Sequence, residues 1–356
     1  YDTMYKDLEI NAENYPSFER SFPNMTDKNI SDAKKVYGMV SNIDDNVGRL
    51  LNQLEQLQLE ENTLVIFMTD NGPQQRRYTG GFRGTKGTVY EGGTRVPFFL
   101  RYPKKMFTNR EVSQSFAHID VAPTILDICG IRSKSQLKMD GISFLPNLVG
   151  ISTEAVERPI FTYWQRGIEE PYRNVAVRKG DFKLVGQTDY QADISEFELF
   201  NIKEDEGELN NLVDAMPEKA TELKAAFDDW YSEVIESPHL KNPPLIVIGN
   251  EAENPVILNR NDAKGNWGVW AEEDIYAYWN VAVENEGIYD ITLHFKTQPN
   301  TSGRAVIRMG NVQRTIKVEQ PNQKITLTDI KLPTYQGMFE AVYLKDRGSK
   351  RKILPF

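Results

Sequence analysis

Two short stretches carry residue types suited to chemistry. Thr69-Asp70-Asn71-Gly72 follows directly on the apolar run Leu64-Val65-Ile66-Phe67-Met68. A carboxylate beside an amide oxygen is a pair of hard ligands, suited to calcium or magnesium and poorly suited to zinc. Asp-Asn-Gly is also good turn chemistry, so the tetrapeptide by itself leaves both readings open. A little further on, Lys86 stands among glycines in Gly84-Thr85-Lys86-Gly87. An ammonium on such a loop, close to an oxygen-ligand pair, suits a tetrahedral oxyanion held beside a cation.

Periodicity predicts the elements around these stretches. The run 64–68 has no alternation, which predicts a strand buried on both faces of a parallel sheet. Ligands in such sheets bind beyond the C-terminal strand ends, where Asp70 and Asn71 fall. Val36, Met39, Val40, Ile43, Val47, Leu50, Leu51, Leu54 and Leu57 recur at helical steps and predict an amphipathic helix, with Ser31 or Asp32 as its N-cap. Residues 1–30 read as an irregular surface segment. Seven of the 24 glycines lie at 72, 80, 81, 84, 87, 92 and 93, so this loop must turn tightly or approach another backbone closely. Val96-Pro97-Phe98-Phe99-Leu100 resumes strand character, and Asp120 to Cys129 predicts a short helix capped by Asp120 and stopped by Gly130.

The remainder divides by pattern. Residues 158–236 read as a small α+β unit, with strands near Ile160–Trp164, Asn174–Arg178 and Phe182–Val185. A helix after Pro217 follows, packing on Leu223, Phe227, Trp230, Tyr231 and Val234. The proline-rich stretch within 237–250 reads as a linker. In 251–356 apolar and polar residues alternate, as in Ile291, Leu293 and Phe295 against Thr292, His294 and Lys296, which predicts an all-β, jelly-roll-like sandwich. The fold class is therefore α/β over 1–157, then the α+β unit, then the sandwich.

Composition excludes several classes. The 356 residues hold 42 Lys and Arg against 51 Asp and Glu, a net charge of −9, so no nucleic-acid affinity is expected. Apolar residues at 40% supply real cores and argue against disorder. No apolar run approaches the ~18 residues that a membrane-spanning helix needs. The single cysteine, Cys129, excludes a disulfide within the chain and reads as a buried helix-end thiol. The chain starts at Tyr1 without the features of a signal peptide, which fits a mature product or a piece of something longer.

Here a family resemblance becomes specific. Asp70-Asn71-Gly72, then Lys86-Gly87, then Glu91-Gly92-Gly93-Thr94-Arg95-Val96-Pro97 resemble the type I sulfatases of the alkaline phosphatase superfamily. Tyr37 to Gly48, His118 to Thr124, Asp140 to Phe144, Glu198 to Asn201 and Asn210-Asn211-Leu212 resemble further segments of that family, so the likeness covers about residues 1–236. It implies the C-terminal part of an alkaline-phosphatase-like mixed sheet core, with the sandwich as an appended module.

The resemblance also implies residue roles. Asp70 and Asn71 become ligands of a calcium ion, with magnesium as the alternative, that holds a sulfate oxygen. Lys86 becomes the catalytic cation on the sulfate or its bridging oxygen. Glu91, Gly92, Gly93 and Arg95 are expected to brace the loop, and His118 and Asp120 to form a strand-to-helix cap. Arg77, Arg83 and Arg173 are read as solvated surface arginines, with an anionic sugar as the other possibility. The family's formylglycine motif, Cys-x-Pro-x-Arg or its Ser version, does not occur in these 356 residues; Cys129 is followed by Gly130-Ile131-Arg132-Ser133, and Asp44-Asp45 lies in mid-helix. The expectation is thus the C-terminal part of a periplasmic or secreted sulfatase, inactive alone. Its partners would be the N-terminal half of the same enzyme and a sulfated glycan or aryl sulfate.

Two other functions use parts of the same residue pattern. A phosphatase or phosphodiesterase of the same superfamily with two zinc ions would place His where Asn71 stands, since imidazole suits zinc and an amide does not. A non-catalytic carbohydrate-binding protein would use Trp267, Trp270, Trp279, Tyr276 and Tyr278 as stacking faces, although alternate aromatics in a strand also fill a core.

Overall fold

The computed structural model describes residues 1–10, 25–75, 77–104, 110–131, 139–151, 156–165, 171–188, 192–242, 244–265, 276–346 and 352–355. The chain forms two compact units: Tyr1–Trp164 with Tyr172–Asp229, and Gln165–Pro171 with Trp230–Phe356. The small unit expected over 158–236 thus lies largely in the first, together with the glycine-rich loop.

In the first unit, helix α1 spans Asp27–Gln56. It starts earlier than Ser31, because the Thr26 hydroxyl accepts the Asn29 N–H at 3.2 Å and supplies the cap that Ser31 and Asp32, both inside the helix, do not. Asp45 lies on the helix surface and accepts the Tyr1 hydroxyl. Strand β1 is Val65–Met68. It pairs with β2, Phe98–Arg101, and the pair is antiparallel and only partly buried. The expected doubly buried parallel strand is corrected here: an apolar run without alternation reports a strand but neither its direction nor what covers it.

The helical turn α2, Glu91–Thr94, ends the glycine-rich loop. Helix α3, Val121–Ile128, stops as predicted at Gly130, which adopts φ +68° while Ile131 N–H reaches back to Leu126 O at 2.8 Å. Cys129 is exposed and not buried, because the helix buries Thr124 and Ile128, and the next position points a further 100° round. Asp120 is fully buried but makes no cap to α3 with its side chain; it accepts N–H groups from Ala117 (2.8 Å) and Ile142 (2.9 Å) and pairs with Arg158.

Strands β3 (Ile160–Tyr163), β4 (Arg173–Lys179), β5 (Phe182–Gln187) and β6 (Glu198–Asn201) form an antiparallel sheet in chain order. Pro217–Val234 is the helix predicted after Pro217, burying Leu223 and Phe227, with Trp230, Tyr231 and Val234 half-buried.

The second unit is built of strands. Ile246–Ile248, inside the expected linker, is strand β7 and runs parallel to β9 (Ala277–Val283). Around β9 a mixed seven-stranded sheet follows the order β12 (Val312–Val318), β11 (Gly303–Met309), β14 (Tyr335–Lys345), β9, β7. Strands β8 (Lys264–Gly265) and β15 (Lys352–Ile353) lie off this path, on β9 and β14. Strands β10 (Gly287–His294) and β13 (Lys324–Leu332) pair separately, and their Leu293, Ile325, Leu327 and Leu332 share one core with Trp279, Ile307, Phe339 and Tyr343.

Candidate active site

Asp70 and Asn71 sit just past the C-terminal end of β1, Asp70 exposed and Asn71 half-buried. Two backbone bonds tie their turn to the glycine-rich loop: Gly72 N–H donates to Gly93 O at 2.8 Å, and Lys86 N–H donates to Pro73 O at 2.9 Å. The expected neighbours in sequence are thereby neighbours in space, and the Lys86 side chain is exposed. Glycine is required for this closeness. A Cβ on Gly72 would lie 1.9 Å from Gly92 O, and one on Gly92 would lie 2.4 Å from Gly84 O.

Behind the loop lies a buried charge cluster that sequence reading missed. Lys183, from β5, stands between two carboxylates, Glu91 Oε1 and Glu208 Oε1, each 2.9 Å from its Nζ. All three side chains are at least 96% buried. The Glu208 contact is an ion pair without hydrogen-bond alignment; its other oxygen accepts the Glu91 N–H at 2.7 Å and so holds the first residue of α2. Arg178 approaches Glu91 at 3.4 Å from the next strand.

Burial alone would raise the Glu91 pKa, but the Lys183 charge and hydrogen bond, with Arg178, outweigh it and hold the carboxyl below its ordinary 4.5. For Glu208 burial is the larger effect and lifts it, with Lys183 offsetting part. A signal existed in sequence: Lys183 interrupts an apolar strand between Phe182 and Leu184, where a lysine is buried only if paired.

Arg83 is not a solvated arginine. It pairs with Glu198 at 3.2 Å, donates to Tyr90 Oη at 3.1 Å and to Glu208 O at 3.0 Å, and lies 3.9 Å over the Tyr90 ring. Burial first, then the hydrogen bond to Glu198, push the Tyr90 phenol well above its usual range. Arg95 is exposed, 3.5 Å from Glu206 and 4.5 Å over the Phe82 ring, and so braces the loop from outside. Arg77 and Arg173 are half-buried, Arg77 contacting Gln75 and Arg173 opening β4.

Fit to a metal can be judged from donor chemistry. Asp70 and Asn71 offer the hard oxygens that calcium prefers, but two donors fall short of its usual six to eight. Among the described residues no group of three or more His, Cys, Asp or Glu could hold an ion. In the second unit Trp279 is a core residue, buried and donating its indole N–H to Asn259 O at 2.7 Å. Tyr276 and Tyr278 are half-buried, and Trp267 and Trp270 lie outside the described residues.

The sulfatase family pattern matches residues 9–131, and that of the family described as "N-sulphoglucosamine sulphohydrolase, C-terminal" matches 82–233. An N-acetylglucosamine-6-O-sulfatase of Bacteroides thetaiotaomicron is 31% identical over 176 residues, 48% of this chain and 30% of that protein. The N-acetylgalactosamine-6-sulfatase of Canis lupus familiaris is 35% identical over 130 residues, 35% of this chain and 24% of that protein. The chain thus spans under a third of the length of these relatives. In fold, a sulfatase-like protein of Bacteroides fragilis superposes with a TM-score of 0.54 at 21% identity, covering 68% of this chain and 51% of its own. Among the described residues, no helix is long and apolar enough to cross a membrane.

Proposed function

Residues 9–233 belong to the type I sulfatases of the alkaline phosphatase superfamily, and from that premise we propose that Asp70, Asn71 and Lys86 are this chain's share of a sulfate-ester hydrolase site. The observation that carries the reading is the pair of backbone bonds, Gly72 to Gly93 and Lys86 to Pro73, which hold an oxygen-donor pair and an ammonium on one framework.

The Asp70 carboxylate and Asn71 amide oxygen are the donors that would hold calcium, with magnesium as the smaller alternative, and would do so only with further oxygens from outside this chain. Bound there, the cation would supply positive charge to offset that of the sulfate. Lys86 orients the anion and offsets the charge that develops on the departing alcohol oxygen. The nucleophile belongs to the N-terminal half of the same enzyme, in keeping with a chain that spans under a third of its relatives. The exposed apolar stripe of α1 supports a further layer of polypeptide over it. The names of the relatives favour a sulfated amino sugar as substrate, and periplasmic or secreted location goes with that substrate class.

The test is hydrolysis of 4-nitrophenyl sulfate. The 356-residue chain is expected to show no turnover above its Lys86→Ala variant. The longer sulfatase polypeptide carrying the same substitution is expected to lose about a hundredfold in kcat. Turnover by the chain alone that Lys86→Ala removes would refute the division of the site. An unchanged kcat in the longer variant would refute the role of Lys86.

A further inference from the structure

An indole lies against the lysine loop. Gly87 follows Lys86 with φ +86°, a conformation that favours glycine, and a Cβ built there would stand 3.9 Å from both Cζ2 and Cη2 of Trp164. Trp164 directly follows β3 and is 40% exposed. The edge of the indole thus lies within van der Waals reach of where a side chain on Gly87 would begin, one residue from Lys86.

This juxtaposition is fixed by one buried amide. Asn174, 8% exposed, donates through Nδ2 to Gly87 O at 2.8 Å and to Trp164 O at 3.1 Å, while its Oδ1 accepts from Gln187 Nε2 at 3.0 Å. Its own carbonyl accepts the Trp164 N–H at 3.2 Å. Asn174 adopts φ +56°, a left-handed conformation that Asn tolerates better than most residues. Both protons of one side-chain amide are thus committed to holding the lysine loop and the tryptophan side by side.

An ordered, part-exposed indole beside an anion-binding cation combines the two kinds of contact that a small polar ligand with an apolar face needs. We infer that Trp164 is the ring-stacking wall of the substrate site, taking the C–H face of a sulfated pyranose whose sulfate lies at Lys86. Asn174 is the positioning residue that sets the spacing. This rests on the sulfate-site reading of Asp70, Asn71 and Lys86, and adds what that reading leaves open: how the sugar is distinguished from free sulfate.

The experiment is an NMR titration of the 356-residue chain with N-acetylglucosamine 6-sulfate, N-acetylglucosamine and inorganic sulfate. The wild type is compared with Trp164→Ala, Trp164→Phe and Lys86→Ala, each checked for native dispersion. Trp164→Ala is expected to weaken the sulfated sugar by about tenfold while leaving inorganic sulfate unchanged, with Trp164→Phe recovering most of the loss. Lys86→Ala is expected to weaken both sulfated ligands. If Trp164→Ala binds the sulfated sugar like the wild type while Lys86→Ala does not, the stacking wall is refuted and the sulfate site stands. If Trp164→Ala weakens sulfate and sugar equally, its role is structural and the inference is again refuted. If the wild type binds N-acetylglucosamine as tightly as its 6-sulfate, the sulfate-site reading fails and takes the inference with it.

Discussion

The second unit and the α1–β1–β2 region of the first treat their apolar side chains in opposite ways. In the second, Leu293, Leu327 and Tyr343 are all but completely buried, and the inward faces of the alternating strands share one core within the unit. In the first, Met39, Val40, Ile43 and Leu50 of α1 remain about half exposed, and Phe99 on β2 is 65% exposed. Both regions obey their sequence periodicity; only one satisfies it from its own residues. An exposed apolar stripe such as that of α1 marks a contact surface. Between the two extremes lies the glycine-loop side of the first unit, closed by charges.

The largest expected effect tests that charged closure. Lys183→Met removes the ammonium that stands 2.9 Å from both Glu91 and Glu208 and leaves two buried carboxylates facing each other, an imbalance of about 3–5 kcal/mol. It should appear as a lowered denaturation midpoint of the first unit at pH 7. Wild-type Glu91, held below 4.5, contributes stability that is present at neutral pH and lost as pH falls through its folded pKa. In the variant the surviving carboxylates prefer to be protonated, so the deficit should shrink as pH falls toward 5. A loss that stays constant with pH would show that packing, and not charge, closes the loop.

Leu327→Ala, at a fully buried position, should destabilise the second unit by about 3 kcal/mol. Leu50→Ala, at a position 55% exposed, should change the stability of the first by no more than about 0.5 kcal/mol. Equal losses in urea denaturation would erase the contrast and imply that α1 is already covered in solution.

The smallest effect lies on the surface. Hydrogen bonds from Lys179 and Lys219 pull the Glu222 pKa from 4.5 to about 2. That contribution exists above pH 4.5 and fades as pH falls toward 2. Because the group is 41% exposed, solvent screens it, and Glu222→Gln should cost under about 1 kcal/mol at pH 7, with a smaller loss at pH 3.

The sequence by itself determined the periodic elements, the stop at Gly130, and the spacing of Asp70, Asn71 and Lys86 along the chain, because these depend on local backbone preference and on motif chemistry read within a few residues. It also carried the family resemblance over 1–236, which the matches at 9–131 and 82–233 bear out. Tertiary structure alone decided what depends on residues distant in sequence. The antiparallel pairing of β1 with β2 joins segments some thirty residues apart. The exposure of Cys129 follows from which face of α3 is packed. Lys183 meets Glu91 across 92 positions and Asn174 meets Gly87 across 87. A lysine inside an apolar strand announces that it needs a counter-charge, but only the folded chain names Glu91 and Glu208, because desolvation and pairing are properties of the packed neighbourhood.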